Sequence, residues 1–262
     1  MRSQTSTVPP ALALAALFLL TTGPASWGAD RRWADLELRS WNVEVSGESL
    51  VREDGLGTLI DLDRDLGLTD DSAIEGRLLL FPTRSLFVRV AYVPLDLKGD
   101  RVLSERIEFA GEVFDVNVRV VSGLDLEYGR LHVGWMFRSA SDHVRVGPMI
   151  GVAGLRGDAG LGAPDLPIPV SASEDFEGGF ASLGLLVEVV PISRLELFGE
   201  VSRLVGVSEG DVTDLEIGAR VRLVGELRLV AAARTLSIDF EQDDDRLKAD
   251  LDGLSLGLAL RF

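Results

Sequence analysis

Cysteine is absent from the 262 residues, lysine occurs only at Lys98 and Lys248, and histidine only at His132 and His143. Without cysteine there is no disulfide, no thiolate metal site and no lipid-modified N-terminal cysteine. Basic residues are scarce: 26 Lys and Arg face 42 Asp and Glu, for a formal net charge of −16 and a pI ≈ 4.5. A nucleic-acid binder needs a basic footprint that this chain lacks. Aromatic residues are few, with 2 Tyr and 4 Trp. After the N-terminal segment no apolar run is long enough for a membrane-crossing helix, which needs about 20 residues. Helical periodicity is nearly absent too. What remains is an acidic, glycine-rich chain of single-domain length.

The N-terminus has its own pattern. Arg2 gives a short positive region, Pro10 to Leu20 an apolar stretch, and Thr21 to Ala29 small residues broken by Gly23 and Pro24. This three-part order predicts an export signal over residues 1–28, with cleavage after Gly28, leaving residues 29–262 as the mature domain.

From Trp33 onward the dominant period is two, the signature of strands. Leu254, Leu256, Leu258, Leu260 and Phe262 share one face, and Gly253, Ser255, Gly257, Ala259 and Arg261 the other. Similar alternation runs through 144–152, 181–190 and 214–223. The pattern predicts ten strands: about 33–47, 73–81, 86–108, 113–138, 143–157, 176–190, 194–207, 212–223, 226–240 and 248–262. Eight or twelve strands are the alternatives. In 226–240, Leu227 and Leu229 are out of phase with Leu236, Ile238 and Phe240, which predicts a β-bulge near Ala231–Ala233. Pro148 predicts a local irregularity in its strand. Tight turns at 82–85, 139–142, 191–193 and 224–225 alternate with longer connections at 48–72, 110–112, 158–175, 208–211 and 241–247. Short turns on one rim and long loops on the other fit an all-β, up-and-down antiparallel transmembrane barrel.

Alternation does not say which face is wet; a soluble lipocalin-like barrel would turn its leucines inward. The polar face here mixes Gly, Ala and Ser with Glu and Arg, which suits a narrow interior where charges must pair. The chain ends on Phe262, after alternating Leu256, Leu258 and Leu260. This ending resembles the C-terminal assembly signal of bacterial outer-membrane barrels. Residues 33–262 as a whole resemble the small OmpA- and OmpW-like outer-membrane β-barrel proteins. The resemblance implies a Gram-negative outer-membrane location. It also implies recognition of Leu256, Leu258, Leu260 and Phe262 by the barrel-assembly machinery, with outer-membrane lipids and lipopolysaccharide as neighbours. It implies no cofactor and no common activity. The thin aromatic content departs from the family's girdles: Phe81, Phe87, Trp135, Phe137 and Phe262 are the candidates for one interface, Tyr92, Phe176 and Phe240 for the other.

Candidate chemistry is sparse. The phase assignment fills the lumen with Glu37, Arg39, Glu75, Arg77, Arg89, Arg130, Arg145, Glu188, Glu196, Glu200, Glu216, Arg220 and Arg222. Within it, Glu196, Glu200, Glu216, Arg220 and Arg222 sit on neighbouring strands, and a turn at 208–211 predicts Glu200 beside Arg220. Mixed signs in a ten-stranded barrel, only slightly wider than the eight strands that side chains can fill, predict a charge-filled plug. Neither histidine has a serine two residues on, as barrel lipid A deacylases do, nor the loop-side Asp–His and Asp–Asp pairs of omptin-type proteases. Asp61, Asp63 and Asp65 resemble the start of a calcium loop, but Leu66 and Ser72 stand where that loop needs Gly and Glu. Asp243, Asp244 and Asp245 read as a solvated loop tip. The expected function is therefore non-enzymatic, structural or surface-interacting. A small channel for ions or solutes is the first alternative, and a hydrolase acting on lipid or peptide the second.

Overall fold

The computed structural model describes residues 32–53, 56–68, 71–104, 106–205, 210–242 and 245–262. The expected signal at 1–28, residues 208–209 of the expected 208–211 connection and the tip at 243–244 lie outside the described residues.

In chain order the strands are β1 (Ala34–Glu53), β2 (Leu56–Asp61), β3 (Asp71–Leu80), β4 (Leu86–Val102), β5 (Ile107–Phe109), β6 (Glu112–Phe114), β7 (Arg119–Trp135), β8 (Phe137–Arg138), β9 (Val144–Ala163), β10 (Val170–Ile192), β11 (Leu195–Val205), β12 (Gly210–Val224), β13 (Leu227–Gln242) and β14 (Asp245–Arg261). Ten of them form the wall, each antiparallel to the next, in the order β1-β3-β4-β7-β9-β10-β11-β12-β13-β14. β14 returns to β1, with Leu38 opposite Leu258, so the lower wall closes on itself; higher up, β4 beyond Tyr92 pairs only with β7, and β10 before Ala181 only with β9, among the described residues. The fold is the expected ten-stranded up-and-down barrel.

Two strands end earlier than their alternation suggests. The wall strands stop at Val102 and restart at Arg119, and between them β5 and β6 form a separate two-stranded sheet. Ile107 and Phe114 of that hairpin pack on Ile60, Leu103, Val120 and Leu161. At Pro148 the ladder between β7 and β9 breaks, because proline has no N–H to donate. Beyond the gap β8 resumes the same register, Phe137 opposite Val146, and the Met136 amide donates instead to the Ser85 carbonyl, at 2.6 Å. Gly225, at φ 58°, makes the tight turn between β12 and β13.

Polarity inverts partway up the wall. Near the short-turn rim, leucines, valines and isoleucines point outward: Leu36 and Leu38 on β1, Leu131 and Val133 on β7, Ile150 and Val152 on β9, and Leu254 to Leu260 on β14 are all exposed. On β14 this belt runs from Leu254 to Phe262. At roughly 3.3 Å per residue and a tilt of about 40° it stands about 20 Å tall. A continuous apolar belt around a closed barrel is a lipid-facing surface; a water-soluble wall does not expose one. Above it the same outward parity turns polar: Asp96 and Lys98 on β4, Asp125 and Glu127 on β7, Arg156 on β9, Glu177 on β10, Asp252 on β14. Inward residues switch in the opposite sense, from Arg39 to Trp41, Val43 and Val45 on β1, and from Arg89 to Val93, Leu95 and Leu97 on β4. The barrel is thus a membrane barrel below and a water-facing cylinder with an apolar core above.

This inversion corrects the bulge expected near Ala231–Ala233. The register of β13 with β12 and with β14 runs unbroken through those residues. Leu227 and Leu229 face lipid below the boundary, while Leu236 and Ile238 fill the upper core. One phase serves both because the solvent changes, not the strand. The aromatics also sort differently. Trp33, Trp135, Phe137 and Phe262 are exposed at the short-turn rim, with the Trp33 and Phe262 rings 5.6 Å apart. Phe81 and Phe87 are instead buried in an inner cluster with Met136, Met149 and Leu186. Phe176 packs against the upper core, and Tyr92 alone of the described upper candidates faces out.

Candidate functional site

The inward face of the lower barrel carries the charged side chains, and their burial decides what they can do. Asp35, Glu37 and Arg39 come from β1, Glu75 and Arg77 from β3, Arg89 from β4, Arg130 from β7, and Glu188 from β10. Glu196 and Glu200 stand on β11, Asp214, Glu216 and Arg220 on β12, and Arg228 and Arg234 on β13; all are buried. Most sit at inward positions between lipid-facing neighbours, while Asp214 and Arg234 lie at the boundary, next to Thr213 and Thr235.

They pair both along the wall and across the lumen. Arg220 donates to Glu37 at 2.6 Å and to Glu196 at 2.8 Å. Arg39 bonds Glu37 and reaches Glu216 at 2.6 Å. Arg77 bonds Glu216 and lies 2.7 Å from Glu75. Arg234 joins Glu75 at 2.9 Å to Asp214 at 2.8 Å. Arg130 lies 2.9 Å from Asp214 and 3.2 Å from Glu200, which also pairs with Arg89. Towards the short-turn rim, Arg261 ties Asp35 at 2.9 Å to Glu196 at 3.0 Å, and Arg145 meets Glu188 at 3.3 Å. The result is one connected mesh. Aromatic faces cover it: Phe198 beneath Arg220 at 4.0 Å and Arg39 at 5.3 Å, and Trp41 against Arg234 at 4.4 Å.

Of the residues singled out in the sequence, Glu196, Glu200, Glu216 and Arg220 lie in this mesh. Arg222 does not: its side chain is 42% exposed at the short-turn rim, 4.0 Å from Glu226. Glu200 does not meet Arg220 either. The register sets Glu200 against Glu216 and Glu196 against Arg220, so β11 and β12 are offset by several residues from the expected pairing. Asp35, Asp214, Arg228, Arg234 and Arg261 were missed. Asp35 and Arg261 continue the parity of Glu37 and Ala259, whereas Arg234 was hidden by the supposed bulge, which would have turned it outward. Leu256, Leu258 and Leu260 all face lipid, and Phe262 ends the belt.

One pair could resemble a nucleophile with its base. His132 Nε2 lies 3.0 Å from Ser182 Oγ, two strands apart, across Gly151, which has no side chain to intervene. Among the described residues His132 Nδ1 has no hydrogen-bond partner, and no carboxylate of theirs orients the ring as in a triad. Both residues are buried beneath the apolar core. His143 lies exposed on a short turn.

The outer mouth is closed by the chain itself. Asp61 to Leu68 forms a single turn, with the Asp65 amide bonded to the Asp61 carbonyl at 3.0 Å and that of Gly67 to Asp63 at 2.8 Å. Gly67, at φ 62°, ends it. Leu62 and Leu68 drop into the apolar core, and the inward Ser122 hydroxyl donates to the Leu66 carbonyl at 2.8 Å. The aspartates that suggested a calcium loop are used locally. Asp65 accepts from Arg64 at 2.9 Å and from the Asp61 amide at 2.9 Å, while Asp63 is exposed. Burial alone would raise the Asp65 pKa, but these bonds outweigh it and hold the carboxyl below its usual range.

No protein-family model and no curated protein matches the sequence. Among solved structures, the chain is similar to the outer-membrane protease OmpT from Escherichia coli, with TM-score 0.57 and 10% identity over 92% of this chain and 100% of that one. It is also similar to the translocator domain of the autotransporter NalP from Neisseria meningitidis, with TM-score 0.50 and 10% identity over 97% of each. At that identity the likeness is one of fold. The chain has the fold of the bacterial outer-membrane β-barrels.

Proposed function

We propose that this chain is an exported outer-membrane barrel with a sealed, non-conducting lumen, and that it works through its outer surface in a structural or surface-interaction role. The observation that carries this reading is the burial of inward side chains at every level: the charged mesh below, the apolar core above it and the Asp61–Leu68 turn at the mouth. A wet pore would leave its lining charges exposed. Ion pairs at this density instead hold the walls together, because an unpaired charge in so narrow a space costs several kcal/mol. A non-enzymatic role accords with the same burial, since no substrate reaches the His132–Ser182 pair. The reading includes removal of residues 1–28 on export, recognition of Leu256, Leu258, Leu260 and Phe262 by the barrel-assembly machinery, and lipopolysaccharide as a neighbour of the upper cylinder.

Planar-bilayer recording on the purified protein tests it. The expected trace stays at baseline through several hundred millivolts. Steady unitary conductance would overturn the sealed lumen and favour a small channel.

A further inference from the structure

Above the lipid belt β10 runs on without a second neighbour. It pairs with β9 from Val170 upward in number, but with β11 only from Ala181. Among the described residues no strand pairs with the other side of 170–180. β11 ends at Val205 and β12 begins at Gly210, and at about 3.3 Å per residue the link between them is too short to climb beside 170–177 and return. The direction of the open backbone groups follows from the register. The Val190 amide donates to the His143 carbonyl at 2.7 Å, and the pairing of β10 with β9 continues from there unbroken. Successive residues of an antiparallel strand bond to opposite sides, so the even-numbered residues of β10 bond β9. Ser171, Ser173, Asp175, Glu177 and Gly179 therefore turn both N–H and C=O to the open side. Such a row is a template for another strand.

The opposite edge of the same upper sheet is blunted. β4 leaves β3 above Tyr92, and the parity set by the Met136–Ser85 bond puts Pro94 and Lys98 on its open side. Proline and lysine are residues that edge strands use to refuse a partner. Val170–Phe180 contains neither, and its charges, Glu174, Asp175 and Glu177, are all acidic. Asp175 ends a register row of aspartates on the outward face, Asp96, Asp125, Asp158 and Asp175. Like charges side by side destabilise a sheet, and the next position of that row lies beyond the edge. A lysine or arginine there offsets the repulsion, whereas a second copy of this edge sets acid against acid. On the inward face Phe176 and Phe180 pack against the upper core but stay half-buried, so an apolar residue on an added strand has ring surface to cover. Ala181 is level with the exposed Val152 of the belt. Asp175 stands about 15 Å higher, at roughly 3.3 Å per residue and a tilt of about 40°. There the acidic row repels anionic lipopolysaccharide and leaves the edge open to a strand arriving through water.

We propose that the Val170–Phe180 edge of β10 docks an extended segment of another protein, one that alternates apolar and basic residues. Its backbone continues the sheet, its basic side chains meet Asp175 and Glu177, and its apolar ones cover Phe176 and Phe180. Backbone bonds supply the affinity of such strand addition and the alternating side chains its specificity. The site deepens the surface-interaction reading and rests on it, but does not depend on whether the lumen conducts.

Amide hydrogen exchange on the full chain in micelles, read residue by residue by NMR, tests this with an alternating Val-Lys peptide of about nine residues. Without peptide the amides of Ser173, Asp175 and Glu177 should exchange fast, while β9 holds those of Glu174 and Phe176. Saturating peptide should slow the first set by about tenfold or more and leave the second unchanged. An alternating Val-Glu peptide should leave no such footprint, nor should one that groups the same valines and lysines into two blocks. Ser173→Pro removes an open-side N–H without touching the ladder to β9, and Asp175→Asn with Glu177→Gln removes the charge. Each should raise the Kd of the Val-Lys peptide roughly tenfold, and unchanged heat-modifiability on a gel confirms that the variants fold. Equal footprints from the Val-Lys and Val-Glu peptides, or binding that slows none of these amides, overturns the docking edge. So does protection of Ser173, Asp175 and Glu177 before any peptide is added, which means that a second copy or another part of the chain already holds the edge. These failures leave the sealed lumen standing, and conductance in the bilayer recording would overturn that lumen without erasing the footprint.

Discussion

Replacing Arg220 with leucine probes whether the lumen is a bonded mesh or a wetted lining. Arg220 donates to Glu37 and Glu196, lies 3.8 Å from Glu188, and stacks on Phe198. Breaking a buried pair by removing one partner costs about 3–5 kcal/mol, because the other charge is stranded. Here each carboxylate retains a second arginine: Glu37 has Arg39, Glu196 has Arg261, and Glu188 has Arg145. The expected loss therefore sits at the low end, about 3 kcal/mol. Glu196→Leu on its own leaves Arg261 with Asp35, so the double variant should lose less than the sum of the singles, by about 1–2 kcal/mol. Arg222→Leu is the control. Its exposed pair with Glu226 should contribute within about 0.5 kcal/mol of nothing. Urea unfolding in detergent micelles, followed by tryptophan fluorescence, reports all four variants. An unchanged midpoint for Arg220→Leu, or additive singles, would refute the mesh; a rise in ion flux beside it would mean that Arg220 lines water.

Deleting Phe262, or changing it to Asp, should reduce outer-membrane levels without reducing export, measured by cell fractionation; normal levels would dismiss an assembly signal at the C-terminus. Gly253→Ala should destabilise the barrel by about 1–3 kcal/mol, since a methyl there would overlap the Asn42 carbonyl oxygen, and an unchanged melting point would contradict this. On the upper cylinder Asp125, Asp158 and Asp175 lie in one register row, and the hydrogen bond to Asp175, with burial and the two neighbouring charges, raises the Asp158 pKa. The folded state therefore holds that proton more tightly than the unfolded chain. Asp158's own contribution to stability should therefore increase as pH falls through the carboxylate range, and Asp158→Asn should raise Tm at pH 7 but give little benefit near pH 4. Asp65 behaves in the opposite sense: its depressed pKa stabilises the mouth turn above the ordinary carboxylate range and is lost as pH falls through the folded value. Lower amide protection factors at Leu66 and Leu68 in acid, taken relative to the intrinsic exchange rate at that pH, and in Asp65→Asn at neutral pH, would show this.

Strand number, order and the lipid-facing leucines were legible because a period of two survives whichever medium each face meets. What alternation cannot carry is the height at which the medium changes. Leu229 and Leu236 lie on opposite faces of one regular strand, and only the lipid boundary between them makes both placements favourable. Reading that change as a bulge hid Arg234, which joins Glu75 to Asp214. Register was the second limit. A shift of a few residues between β11 and β12 keeps every side chain on its face yet exchanges Glu200 for Glu196 as the partner of Arg220. The His132–Ser182 contact spans two strands and a glycine, a relation with no local trace in the chain.

The inversion of polarity also gives the barrel a waterline. A wall that is apolar from rim to rim can ride up or down in a bilayer with little penalty. This one cannot. Sinking by two residues carries Glu127, Arg156 and Glu177 towards hydrocarbon, and rising by two lifts Leu131, Val152 and Leu254 into water. Each charged side chain costs up to about 1 kcal/mol near the interface and more with depth, and the strands share the penalty around the circumference. The molecule should therefore float at one draught, and a bilayer of different thickness must pinch or swell to meet it.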